Sequence, residues 1–134
     1  MIGVRADMQD LGHVFDEAVK DALVAVGKTI KTLIRKDFDE EHAPDGKAWK
    51  PRKSPTASWP ILNRTGHLKN SWQDRIMGNR TVTVGSTAAT AGFHQHGTRW
   101  MPARPMVPQN DELPEEWKHS ILDSIAHVFA ERFS

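Results

Sequence analysis

SWQDRIMGNRTVTVG, residues 71–85, changes the period of the chain from helical steps to alternation. Trp72 to Met77 and Thr81 to Gly85 read as two strands, and the alternation selects the loop between them. A two-residue Gly78-Asn79 turn sets Arg75 opposite Val82 and Gln73 opposite Val84. A three-residue loop of Gly78, Asn79 and Arg80 instead pairs Ile76 with Val82 and Asp74 with Val84, and leaves Trp72 on the same face. The second register gathers more apolar side chains on one face and is the one predicted.

Upstream, Leu11, Val14, Phe15, Ala18, Val19, Ala22, Leu23, Val26, Ile30, Leu33 and Ile34 recur at three- and four-residue steps, which predicts one long helix from about Asp7 to about Asp37. At 1.5 Å per residue such a helix is roughly 45 Å long, more than a compact domain with a radius of gyration near ~14 Å readily covers. Part of its stripe is therefore expected to face another subunit. Gly27 weakens the helix locally and marks a bend or a close crossing. Downstream, Trp117, Ile121, Ile125, Val128 and Phe129 predict a second helix over about Glu112 to Arg132. Asp111 is its expected N-cap, Pro114 falls in its first turn, and Glu112, Glu115 and Glu116 suit the positive end of its dipole. A third strand from about Ala88 to His94 and a fourth around Arg104 to Val107 complete the predicted sheet. The fold class is α+β: a long N-terminal helix and a C-terminal helix packed on a small antiparallel sheet.

The 134 residues fit one domain, 1–134. No run of about 18 apolar residues and no signal-peptide layout occurs, so no membrane partner is expected, and the chain reads as cytosolic or assembled there. With no cysteine, disulfides, thiolate zinc sites and cysteine nucleophiles are excluded. The net charge of +1 is segregated. Residues 1–40 carry six Lys and Arg against eight Asp and Glu, residues 41–110 ten against three, and residues 111–134 two against six. A basic middle between acidic ends fits either a nucleic-acid face or the middle of one copy meeting the ends of another, and the second is favoured.

Glu41 to Asn63 holds Pro44, Pro51, Pro55 and Pro60, with Trp49 and Trp59 among them. It reads as an arm, mobile in the free subunit and ordered in an assembly, whose tryptophans dock on a neighbour. FHQHGTRWMPARPMV, Phe93 to Val107, is the other unusual stretch. On a strand, His94 and His96 would face the same way and could share a metal, but no third ligand is suggested nearby. No G-x-S-x-G elbow or paired carboxylate on a common face is present, so an enzyme is not expected. Arg64, His67, Lys69 and Arg75 around Trp72 offer the charge and stacking that a single-stranded nucleic acid uses, without a recognition-helix or zinc-finger pattern.

PDGKAWKP at Pro44 to Pro51, ILNRTGHLKNS at Ile61 to Ser71, then FHQHG and MPARPMV resemble, in that order, the motif series of the phage virion morphogenesis proteins. This Mu-type family also takes in the tail-completion proteins of P2-like phages. The resemblance covers about residues 38–110 by motif and the flanking helices by position. Thr90 stands where an aromatic residue is expected, and Met106 where a phenylalanine is expected. The resemblance implies a non-enzymatic structural protein of a phage or prophage, without a cofactor. It would act at the tail end or the head–tail junction as a ring or other homo-oligomer, with other tail or connector proteins as partners. It makes Trp49, Trp59, His94, Gln95, Gly97, Arg99, Pro102, Arg104 and Pro105 candidate assembly residues. His94 and Gln95 would end a strand, Gly97 would allow a turn, and Pro102 and Pro105 would stiffen an extended return. Arg104 could hydrogen-bond a carboxylate or carbonyl groups, locking its own loop or a neighbour.

Overall fold

The computed structural model describes residues 8–52, 61, 62, 66–109 and 112–133. The elements are α1 (Met8–Glu40), β1 (Trp72–Met77), β2 (Thr81–Ser86), α2 (Ala91–His96) and α3 (Glu115–Phe133). The architecture is α+β, two long helices on a two-stranded antiparallel sheet.

The hairpin adopts the predicted register: Ile76 pairs with Val82 and Asp74 with Val84, around a loop of Gly78, Asn79 and Arg80. Gly78 takes φ +66 in that loop, a backbone conformation that glycine accepts without penalty. Trp72, Asp74, Ile76, Val82 and Val84 all lie on the half-buried face. Asp74 is not wasted there, because Lys31 of α1 donates to its carboxylate at 2.8 Å. Gly27 is the close crossing: a Cβ at that position would sit 2.6 Å from Asp74 Oδ2 and 2.9 Å from its Cβ. A glycine in mid-helix thus admits the strand.

α3 runs antiparallel to α1. Glu116 meets Lys36 at one end, Ser124 meets Thr29 in the middle, and Arg132 reaches Asp21 and Glu17 at the other. Pro114 precedes the helix rather than occupying its first turn, since its carbonyl accepts the N–H of Lys118 at 2.9 Å. The expected cap Asp111 lies outside the described residues. Along α1 the apolar stripe is covered from Ala18 onward, while Val14 and Phe15 remain 41% and 53% exposed.

α1 stops at a Schellman closure. Glu41 adopts φ +57, with Glu41 N donating to Phe38 O and His42 N to Asp37 O. The chain then reverses in a tight hairpin. Ala43 N bonds Lys47 O, Trp49 N bonds Glu41 O, Asp45 caps Lys47 N, and Gly46 supplies φ +89. This reversal lays Trp49 edge-on against Phe38, with ring centroids 5.2 Å apart. The core forms around them from Leu33, Ile34, Ala43, Leu68, Met106 and Trp117.

Two predicted strands are absent. The segment read as a third strand contains α2, a single short helix after Thr90, and the segment read as a fourth has no regular secondary structure and joins no sheet. The sheet therefore stops at two strands, and Gln95 rather than a backbone ladder fastens the segment from 104 to 107.

Candidate functional site

The unusual stretch from Phe93 to Val107 is a loop fastened through its backbone. Gln95 is buried on α2, and both ends of its carboxamide are engaged. Oε1 accepts from Met106 N at 2.7 Å and Val107 N at 3.1 Å, and Nε2 donates to Val107 O at 2.9 Å. A glutamine placed this way satisfies the polar groups that a missing strand neighbour would otherwise have paired. His94 O accepts Arg104 N at 2.8 Å and completes the seam. Gly97 ends α2 at φ +75, and a Cβ there would meet Ala103 N at 2.7 Å. Both the backbone angle and the close approach demand glycine. Thr98 and Met101 exchange backbone hydrogen bonds across the tip, and Pro102 and Pro105 lie in the irregular return that follows.

Arg104 holds a second segment. Its Nε donates to Lys50 O at 2.9 Å and an Nη to Pro51 O at 3.3 Å. Of the partners open to it, the guanidinium has taken carbonyl groups of its own chain. Trp49 Nε1 donates to Pro105 O at 2.8 Å from the other side. Trp49 was expected to dock on a neighbour, but only 5% of it is exposed and it belongs to its own subunit's core. The reversal after α1 brings it within reach of Phe38 and leaves nothing for a partner to cover. Glu41 Oε1 accepts Ile61 N at 3.1 Å, so both ends of the 41–62 excursion close on the end of α1. Trp59 lies outside the described residues.

Replacing Arg104 by alanine should lower the unfolding free energy by about 1 kcal/mol, because two hydrogen bonds from a charged donor are lost while water can reach the exposed carbonyls they held. Lysine should not rescue it, since an ammonium lacks the planar fork that reaches both carbonyls. Thermal melts of the two variants check this, and a curve superimposable on wild type would contradict the clasp.

The histidines do not share a face, contrary to the strand reading, because two helical steps separate side chains by roughly 200°. His94 is half-buried, and burial followed by the nearby Arg104 charge holds it below its usual pKa; His96 is exposed. Among the described residues no three His, Cys, Asp or Glu side chains converge as metal ligands. Of the basic stretch around Trp72, Arg64 lies outside the described residues. Trp72 faces the half-buried side of the sheet, and Lys69 is engaged by Asp39 at 2.5 Å.

Where the seam and the Arg104 clasp meet, they leave a cleft of about 720 Å³ lined by Lys50, Arg52, Arg99, Trp100, Pro102 and Arg104. Trp100 is 79% exposed and carries the Arg99 guanidinium 5.1 Å above its ring. Lys50, Arg52 and Trp100 escape sequence reasoning because only the fold brings residues near 50 to residues near 100.

A second polar cluster, at the end of α1, was also missed. Asp37 is 4% exposed and its Oδ2 has no hydrogen-bond partner. Burial pushes its pKa up to about 6, against the pull of His42, whose Nδ1 lies 3.5 Å from Oδ1. For His42 burial opposes the charge, but hydrogen bonds to Ala43 O and the Glu40 carboxylate outweigh it and raise the pKa. The sequence did carry a signal, since Asp37 continues the steps of Ile30, Leu33 and Ile34.

No curated protein and no solved structure matches the chain significantly. The profile of the phage virion morphogenesis family matches residues 4–129. The match spans α1, the hairpin, every segment of the fastened loop and α3 as far as residue 129, and the chain therefore belongs to the phage virion morphogenesis family.

Proposed function

We propose that this protein is a non-enzymatic structural subunit that completes the phage tail or the head–tail junction as a homo-oligomer, a ring being its closed form. The observation that carries the reading is how the motif spends its polar groups. Gln95, Arg104 and Trp49 all bond backbone carbonyls or amides of their own chain, which builds a rigid loop rather than a reactive centre. Apolar side chains stay exposed around that loop and along the helices: Phe93 at 57%, Trp100 at 79% and Leu122 at 64%. Exposed large apolar residues together with segregated charge suit contacts with copies of itself and with tail or connector proteins. Membership in the family supports association with the virion, and assembly would take place in the host cytoplasm. Among the described residues no helix is long and apolar enough to cross a membrane.

A nucleic-acid-binding module is the second reading, favoured by the four cations beside an exposed tryptophan in the cleft. Size-exclusion chromatography with light scattering, with and without DNA at two salt concentrations, separates the two. The assembly reading expects several times the subunit mass without DNA, falling as salt screens the charges. A monomer whose mass rises only when DNA is added would contradict it.

A further inference from the structure

Among the described residues, the walls of the cleft beside Trp100 carry Lys50, Arg52, Arg99 and Arg104 and no carboxylate. The sequence around it is equally one-sided, because no Asp or Glu occurs from Gly46 to Gln73 or from Arg75 to Asn110. Like charges gathered in one cleft oppose one another. Arg104 shows the effect: burial, and then the charge of Arg52, lower its pKa. Its own hydrogen bonds end on carbonyls, which satisfy donors without neutralising the charge. Trp100 adds an open apolar face. The complementary ligand is a peptide segment with several carboxylates and an apolar residue among them.

The chain carries such a segment, Glu112-Leu113-Pro114-Glu115-Glu116. Glu112 and Glu115 are exposed, and Leu113 is 40% exposed. Within its own subunit the segment is committed elsewhere. Glu112 and Pro114 line a separate hollow with Ala43 and Pro44, Glu116 pairs with Lys36 at 2.6 Å, and Trp117 is buried in the core. Filling the subunit's own cleft with this segment would mean pulling Trp117 from the core, whereas a second copy brings the segment ready-made.

We infer that the Trp100 cleft of one copy receives the Glu112–Glu116 segment of the next, with Glu112 and Glu115 against the cations and Leu113 against Trp100. The contact joins two different patches, so it is head-to-tail and either closes into a ring or extends as a filament. The inference rests on the homo-oligomer reading and names the surfaces that make it.

Two charge reversals test it by light scattering: Lys50→Glu with Arg99→Glu in the cleft, and Glu112→Lys with Glu115→Lys in the segment. Neither set removes a side chain of the Gln95 seam or the Arg104 clasp. Each variant alone should lose self-association by at least about tenfold, because like charges then face each other. An equimolar mixture should recover it, since each reversed surface finds its complement on the other variant, and recovery also shows that both variants are folded. A wild-type oligomer whose size neither variant alters would overturn this contact and leave the assembly reading standing. A wild type that stays monomeric at every concentration would overturn both. Fluorescein-labelled single-stranded DNA bound by wild type and lost by the cleft variant, while the segment variant self-associates normally, would assign the cleft to nucleic acid instead.

Discussion

Gln95→Leu should destabilise the chain by about 3–5 kcal/mol, although leucine is close to glutamine in size and better suited to burial. The substitution strands three backbone groups at once, Met106 N, Val107 N and Val107 O, all now bonded to one carboxamide. A buried polar group left without a partner costs about 1–3 kcal/mol, with some relief where water enters. Met106 is 1% exposed, so little water reaches its amide. Gln95→Glu should fall between, since a carboxylate still accepts both N–H groups but repels the Val107 carbonyl. Urea unfolding midpoints measure the series, and a leucine variant as stable as wild type would show that the seam holds without its glutamine.

Asp37→Asn should do the reverse and stabilise the protein at pH 8 by about 1–2 kcal/mol. A carboxyl with a folded pKa of about 6 against an ordinary value of 3.8 holds its proton more tightly folded than unfolded. Relative to acid conditions, stability is then lost as pH rises between those two values, and above the folded one the full cost is about 3 kcal/mol, at 1.36 kcal/mol per unit. Asparagine removes the charge, but it also forfeits the attraction to His42 and brings an amide into a place where Oδ2 has no partner; these offset part of the gain. His42 works in the same direction in a higher window. Its raised pKa contributes stability that is complete below its unfolded value near 6.5 and is lost as pH climbs through the folded value. Wild type should therefore weaken from about pH 5 to 8, above the range in which the lowered carboxyls of Asp74 and Glu116 titrate, and the variant should keep only the histidine portion of that fall, reduced because Asp37 helps to raise the His42 pKa. Identical pH profiles for the two proteins would refute the assignment of the cost to Asp37.

How far the sequence revealed this structure varies with the distance over which each feature is decided. The hairpin register was legible because side chains alternate: only a three-residue loop puts Trp72, Ile76, Val82 and Val84 on one face, and the chain uses it. α2 was not legible. Ala88 to His94 is too short to show a period, and Thr90 and Gly92 are weak helix formers; the turn persists because Gln95 is fastened from outside it. Trp49 reads from the sequence as docking on a neighbour, whereas its host is Phe38 of its own subunit, invisible in the sequence because the two meet only after the chain reverses through Glu41 and Gly46. Arg104 was legible as a clasp and not as to its partners, because backbone carbonyls leave no mark in the sequence. Asp37 occupies a step of the apolar stripe and could have been recognised as a buried charge from that position alone.

Whether the protein is a multi-copy structural part of the particle is decided most directly by quantitative mass spectrometry of purified virions. Peptides of this chain should appear at several copies per particle, in fixed ratio to tail or connector proteins and retained after DNA is digested away. Its absence from the purified particle, or its loss together with the DNA, would contradict the account.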